Sequence, residues 1–230
     1  MTSTGEDEKA RTAITPSLAV LFDAVLFDRD GTLVVDEPYN SDPELVVPIP
    51  GAVNAVATVR RAGVRTGVLS NQSGIARGLL TGSQVEAVNR RVDALFGAFD
   101  VWEICPHAPH SDCRCRKPKP GMIFAACREL GISPSRTAFV GDIGSDIDAA
   151  RAAGAVGVLV PTAVTLAHEV AQSPMVAETL EAALQLLLDI CATPTLGQAE
   201  VPLRQQGLAI AQSQWQHDPK DALRPARSPR

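Results

Sequence analysis

"AVLFDRDGTLV" (residues 24–34) decides how this chain is read. An unbroken apolar run, Ala24 to Phe27, leads directly into two carboxylates one residue apart, Asp28 and Asp30, and then into Gly31 and Thr32. A short continuous apolar run is the pattern of a strand buried on both faces, as in a parallel sheet covered by helices. A bare strand end has no need of a second carboxylate. The pair therefore turns attention to what the rest of the chain brings to the same end of the sheet.

Four more strand-like runs follow: "RTGVLSN" (65–71), "VWEIC" (101–105), "TAFVGD" (137–142) and "AVGVLV" (155–160). Helical segments alternate with them. "PGAVNAVATVRRAG" (50–63) opens with Pro and closes with Gly. In 83–99, Ser83 and Glu86 have capping-box spacing, and Val85, Val88, Val92, Leu95, Phe96 and Phe99 recur at helical intervals. "PGMIFAACRELG" (120–131), "SDIDAARAAG" (145–154) and residues 176–190 complete the set, the last with Glu178, Glu181, Gln185 and Asp189 as its polar stripe. Strict alternation predicts a doubly wound, Rossmann-like three-layer α/β sandwich, with right-handed crossovers and a parallel sheet of five strands or more. Residues 33–49, two Val-rich arms around Tyr39, Asn40, Ser41, Asp42 and Pro43, predict a flap in place of a cap domain. The expected plan is a disordered leader over 1–17, one domain over 18–191 holding a cysteine loop at 105–115, and a disordered tail over 192–230. Within that tail "LAIAQSQW" could serve as a docking segment.

The chain has 230 residues, 45% of them hydrophobic and 20% charged, enough to build a core and stay soluble. Its net charge of -5 argues against a nucleic-acid partner, which needs a basic face. The run Leu18 to Phe27 is too short to span a bilayer and is interrupted by Asp23, while the preceding "TGEDEK" is acidic, against the signal-peptide pattern. A cytoplasmic monomer with no membrane partner is expected.

Ligands of open parallel sheets bind beyond the carboxyl ends of the strands. Four polar clusters fall there: Asp28 and Asp30; Ser70 and Asn71; Arg116 and Lys117 after the third strand; and Asp142, Ser145 and Asp146. Several carboxylates in one crevice repel one another unless a cation sits among them, and hard oxygen ligands suit Mg²⁺. Such an ion together with Lys117 would neutralise a phosphate. One carboxylate is then available as nucleophile and another as acid and base, as phosphoryl transfer requires. Gly31 and Thr32 would turn backbone N–H groups toward the phosphate.

"DRDGT", "SNQSG", "RKPKPG" and "VGDIGSD", in this order over residues 24–162, resemble the four motifs of the haloacid dehalogenase superfamily of phosphatases. The resemblance implies that Asp28 is the nucleophile that becomes an aspartyl-phosphate and that Asp30 is the general acid/base. It makes Ser70 the group that orients the phosphoryl oxygens, with Lys117 neutralising them. Mg²⁺ would be held by Asp28, the Asp30 carbonyl and Asp142, with Asp146 supporting the metal shell. Asn71, Arg77 and Arg116 would face the substrate, a small sugar phosphate, with Arg77 meeting a second phosphate or sugar hydroxyls.

"CPHAPHSDCRC" sets Cys105, His107, Cys113 and Cys115 in a C-x-H-x5-C-x-C arrangement suited to a closed tetrahedral Zn²⁺ site. The alternatives are free thiols or a strained Cys113–Cys115 disulfide, and His110 is the alternative imidazole. Cys127 falls on an apolar helix stripe and reads as a core thiol. The zinc loop resembles a subgroup containing heptose bisphosphate phosphatases and histidinol-phosphate phosphatases, and "NQSGIARG" (71–78) is more similar to the former. The heptose enzymes of that subgroup usually carry a lysine after the last motif's first aspartate, where this chain has Ile143. The resemblance thus implies hydrolysis of a heptose 1,7-bisphosphate, with histidinol phosphate as the alternative substrate. A catalytically silent binding protein is the contrasting class, disfavoured by the intact Asp28, Asp30, Lys117 and Asp142.

Overall fold

The computed structural model describes residues 21–192. The leader and tail expectations, the docking segment included, lie outside these residues. Five parallel strands form one sheet in the order β3-β2-β1-β4-β5: β1 Ala24–Phe27, β2 Arg65–Asn71, β3 Val101–Cys105, β4 Thr137–Gly141 and β5 Val156–Leu159. All four residues of the central β1 are buried, as its unbroken apolar run demands.

Successive β1 side chains serve opposite faces. Val25 and Phe27 join Val68 and Val140 in one core, beneath α1 (Ala52–Arg61), α2 (Gly82–Phe96) and α6 (Leu180–Ala192). Ala24 and Leu26 join Leu69 and Phe139 in the other, beneath α3 (Gly121–Leu130) and α4 (Gly144–Ala153). The result is the three-layer sandwich the alternation implies.

Four details depart from the sequence reading. The cap of α2 is Thr81, not Ser83: the Thr81 hydroxyl accepts from the Gln84 amide at 3.2 Å, and the Gln84 side chain accepts from the Thr81 amide at 2.8 Å. T-x-x-Q at 81–84 and S-x-x-E at 83–86 carry the same signature, and the earlier one closes. Glu86 instead pairs with Arg90 one turn on, at 3.3 Å. The same helix stops at Phe96, because Gly97 adopts φ 80°. The segment expected to be helical from 176 begins its helix only at Leu180; Val176 bridges to Leu159 beside β5. A short helix, α5 (Ala167–Gln172), precedes it and was not expected.

The flap of residues 33–49 is irregular, as expected. Val34 bridges antiparallel to Pro48, and a single turn of 3₁₀ helix, Pro43–Leu45, forms its outer end. The position of Leu26, fully buried in the second core, fixes a stability expectation. Leu26→Ala should cost about 2–5 kcal/mol in urea unfolding, while Val47→Ala, on the exposed flap, should stay within about 0.5 kcal/mol.

Candidate active site

Strand register assembles the site. Phe27 pairs with Val68 on one side and Val140 on the other, and the Asp28 amide donates to the Val140 carbonyl at 2.9 Å. Asp28, Ser70 and Asp142 therefore come together at the carboxyl edge, where the strand order changes direction at β1. Lys117 arrives from the loop after β3. Asn71 clips it in place, accepting from the Lys117 amide at 3.2 Å and donating to its carbonyl at 3.3 Å.

The Lys117 side chain is buried, with Nζ 2.8 Å from Asp28 Oδ1 and 2.7 Å from Asp146 Oδ1, and it donates to the Leu69 carbonyl at 3.1 Å. Asp146 Oδ2 accepts from the Ile143 amide at 3.2 Å, so both of its oxygens hold protein groups. Its part is to anchor Lys117 and the start of α4. A Cβ on Gly31, which adopts φ 78°, would lie 2.3 Å from Asp142 Oδ2; only glycine lets the loop pass this close to that carboxylate. The Thr32 hydroxyl donates to Asp142 Oδ1 at 3.4 Å. Gly31 and Thr32 thus shape the surroundings of Asp142.

Ligand atoms of Asp28, Asp142 and Asp146 all lie within 4.8 Å of one another. Three carboxylates against the one Lys117 ammonium leave a surplus of negative charge in a buried place. Burial pushes the Asp28 carboxyl well above the usual range; Lys117 opposes this, while Asp146, Asp142 and Asp30 add to it. Asp142 is pushed up to about 7 by burial and then by Asp146, against Lys117. Burial disfavours the Lys117 ammonium, but Asp146 and Asp28 outweigh it and hold the group above the usual lysine range. A hard divalent cation fits this donor set: its charge relieves the surplus, and carboxylate oxygens are its preferred ligands.

Asp30 is held differently. The Arg29 guanidinium grips it with two parallel bonds, Nε to Oδ1 and Nη2 to Oδ2, each 3.0 Å. Gln72 Nε2 donates to Oδ2 at 2.9 Å and to Ser70 Oγ at 2.8 Å, and Ser70 Oγ lies 3.5 Å from the same carboxylate oxygen. Arg29 and Gln72 escaped the sequence reading, although both stand inside the quoted motifs.

These groups floor a cavity of about 360 Å³. The flap supplies Asp36, Glu37 and Tyr39 to one wall; Arg116 and Ile143 stand on others. Tyr39 adopts φ 57°, a left-handed backbone that a bulky residue rarely takes. Arg77 is not among the residues lining the cavity; it donates to the Tyr39 hydroxyl at 2.7 Å and reaches the cavity through that ring. The Asp36 carboxyl is raised by burial and by the neighbouring Asp30.

The cysteine loop forms a second cluster. Cys105 Sγ lies 3.3 Å from Cys115 Sγ and 3.8 Å from Cys113 Sγ, and His107 Nδ1 is 3.2 Å from Cys115 Sγ. The four ligand atoms lie within 4.8 Å of one another, and His110 is not in the group. The Cys115 thiol donates to Cys105 and holds it down to about 5 despite burial, while Cys115 itself is pushed up. Three sulfur donors and one imidazole match the donor set of a closed tetrahedral zinc-type site. Arg116 donates to the His107 carbonyl at 3.5 Å, linking this loop to the cavity wall. Cys127 is buried beside Thr137 Oγ1 at 3.4 Å, a core position as expected.

The HAD-hydrolase-like family matches residues 114–183. The D-glycero-beta-D-manno-heptose-1,7-bisphosphate 7-phosphatase of Pseudomonas putida is 43% identical over 143 residues, 60% of this chain and 82% of the relative. The enzyme of the same name from Escherichia coli K12 is 36% identical, over 56% of this chain and 74% of its own length. The crystal structure of D,D-heptose 1,7-bisphosphate phosphatase from B. bronchiseptica, complexed with magnesium and phosphate, aligns with TM-score 0.65 and 29% identity, covering 74% of this chain and 99% of that one. The chain belongs to the haloacid dehalogenase-like phosphatases.

The raised carboxyls set the pH dependence of cation binding. A carboxyl whose folded pKa lies above its unfolded value adds no penalty below the unfolded pKa, about 3.9. It destabilises the fold progressively as pH rises toward the folded value, for Asp142 about 7. A cation that relieves this charge should therefore raise Tm more at pH 8 than at pH 5.5, measured by thermal unfolding with and without Mg²⁺. An increment that is equal or larger at the lower pH would contradict this account of the charge cluster.

Proposed function

We propose that this phosphatase hydrolyses D-glycero-D-manno-heptose 1,7-bisphosphate to the heptose 1-phosphate, with Asp28 as nucleophile. The observation that carries the reading is the buried Asp28–Lys117 pair at the floor of a polar cavity, with Asp30 held beside it. The names and identities of the relatives support the substrate.

Lys117 holds the Asp28 carboxylate in one orientation and offsets phosphoryl charge as the substrate arrives. An Asp28 oxygen forms a bond to phosphorus while the bond to the sugar oxygen breaks. Asp30 gives its proton to that departing oxygen. Water then attacks the aspartyl-phosphate, its proton passes to Asp30, and phosphate leaves with Asp28 restored. Ser70 orients the phosphoryl oxygens; Gly31 and Thr32, expected to turn amides toward the phosphate, do not line the cavity, and the Gly31 amide donates to the Val34 carbonyl at 2.8 Å instead. Asp28, Asp142 and the Asp30 carbonyl would hold Mg²⁺, which would supply charge neutralisation at the phosphate.

Arg116 is the cavity-lining cation whose side chain makes no carboxylate pair among the described residues, so it is assigned to the distal phosphate. Asn71 serves by clipping Lys117, and Arg77 by holding Tyr39 against the sugar. Cys105, His107, Cys113 and Cys115 bind a structural Zn²⁺ that fixes the loop carrying Arg116 and Lys117. No helix among the described residues is long and apolar enough to cross a membrane. A cytoplasmic monomer without a nucleic-acid partner completes the proposal.

Phosphate release should be measured across both anomers of heptose 1,7-bisphosphate, histidinol phosphate, fructose 1,6-bisphosphate and hexose monophosphates. The heptose bisphosphate should show the highest kcat/KM; histidinol phosphate leading the panel would overturn the substrate assignment. Asp28→Asn should lose about a thousandfold or more in kcat with the fold intact by circular dichroism. Elemental analysis of protein purified without chelator should find about one zinc per chain, as a closed four-ligand site requires; Cys113→Ser should lose it.

A further inference from the structure

Outside the motifs, Asn89 is tied to the acid/base apparatus through Arg29. The Arg29 side chain is only 3% exposed. Two of its nitrogens grip Asp30, and its third, Nη1, donates to Asn89 Oδ1 at 2.7 Å. Asn89 sits at the middle of α2, half-buried, and is not among the residues lining the cavity. A guanidinium is a rigid planar fork, so fixing one arm fixes the plane of the other two. Gln72 donates to Asp30 Oδ2 as well, at 2.9 Å. The carboxylate is thus held by two side chains, and one of them is anchored in a helix that supplies no residue to the cavity lining.

We infer that Asn89 is a positioning residue for the phosphatase reaction: through Arg29 it aims the Asp30 carboxyl at the oxygen of the departing alcohol. A general acid contributes only when held within hydrogen-bond reach of the atom it protonates. An Asp30 that swings loose fails first where the leaving group most needs a proton. A sugar alkoxide is a poor leaving group and needs the proton from Asp30 as the phosphorus–oxygen bond breaks. A nitrophenolate leaves as the anion and needs none. The second half-reaction, attack of water on the aspartyl-phosphate, is common to both substrates and does not enter kcat/KM once the first is irreversible.

The inference rests on the proposed phosphatase chemistry, and the test separates the two. Asn89→Ala suits an exposed-to-half-buried helical position, since alanine favours the helix, so the variant should fold; circular dichroism and Tm check this. Asn89→Asp keeps an acceptor oxygen in the same place. For wild type and both variants, kcat/KM is measured with heptose 1,7-bisphosphate and with p-nitrophenyl phosphate. Asn89→Ala should lose about tenfold with the sugar phosphate, a part of the roughly 10²–10⁴-fold that a general acid contributes, and no more than about threefold with the nitrophenyl ester, while Asn89→Asp restores the wild-type ratio. Equal losses on the two substrates, or an unchanged ratio in Asn89→Ala, would overturn the positioning role while leaving the phosphatase reading intact. A wild-type chain that hydrolyses neither substrate would overturn both.

Discussion

The ion pair between Lys117 and Asp28 is the contact on which the site depends. It is buried, 2.8 Å long, and shared with Asp146 at 2.7 Å. Charges this far from water are tolerated only when paired, and here the pairing is unbalanced: one ammonium faces three carboxylates. Nothing in the packing of the domain calls for that surplus, because the two cores on either side of the sheet are closed by apolar side chains. The imbalance makes chemical sense when a cation and a phosphate enter together. Much of the local architecture exists to hold it: Asn71 clips the Lys117 backbone, Gly31 stands aside for Asp142, and Asp146 ties Lys117 to the first turn of α4.

A second layer of control surrounds Asp30. It is less deeply buried than Asp28, and its partners are an arginine and a glutamine. Two carboxylates two residues apart thus occupy different environments. Asp28 is buried and pushed up by desolvation, while Asp30 is held by a paired guanidinium at the cavity edge.

The strands, their order of use and the charged residues at their ends were legible from the sequence, because buried parallel strands read as unbroken apolar runs and the ligand edge follows from topology. The Cys/His cluster was legible for a similar reason: four soft ligands within eleven residues have few other readings, and the choice of His107 over His110 agrees with the observed grouping. What escaped was mostly side-chain partnership. Arg29 and Gln72 stood inside the quoted motifs, but spacing alone does not say that a side chain turns sideways onto its neighbour. Asn89 is sixty residues from Arg29 and lies on a helix whose periodicity speaks only for its apolar face. Arg77 was expected at the substrate; the fold directs it to the Tyr39 hydroxyl instead. The cap of α2 was misplaced because two overlapping box signatures compete within six residues, and local spacing carries no information about which one closes.

The most direct test of the charge cluster is a crystal structure of the chain grown with Mg²⁺ and beryllium fluoride, a mimic of an aspartyl-bound phosphoryl group. The account predicts trifluoroberyllate bonded to Asp28, a metal ion bridging it to Asp142, and Lys117 Nζ still within hydrogen-bond distance of Asp28. Density for the ion away from Asp28 and Asp142, or fluoroberyllate on a different side chain, would contradict it.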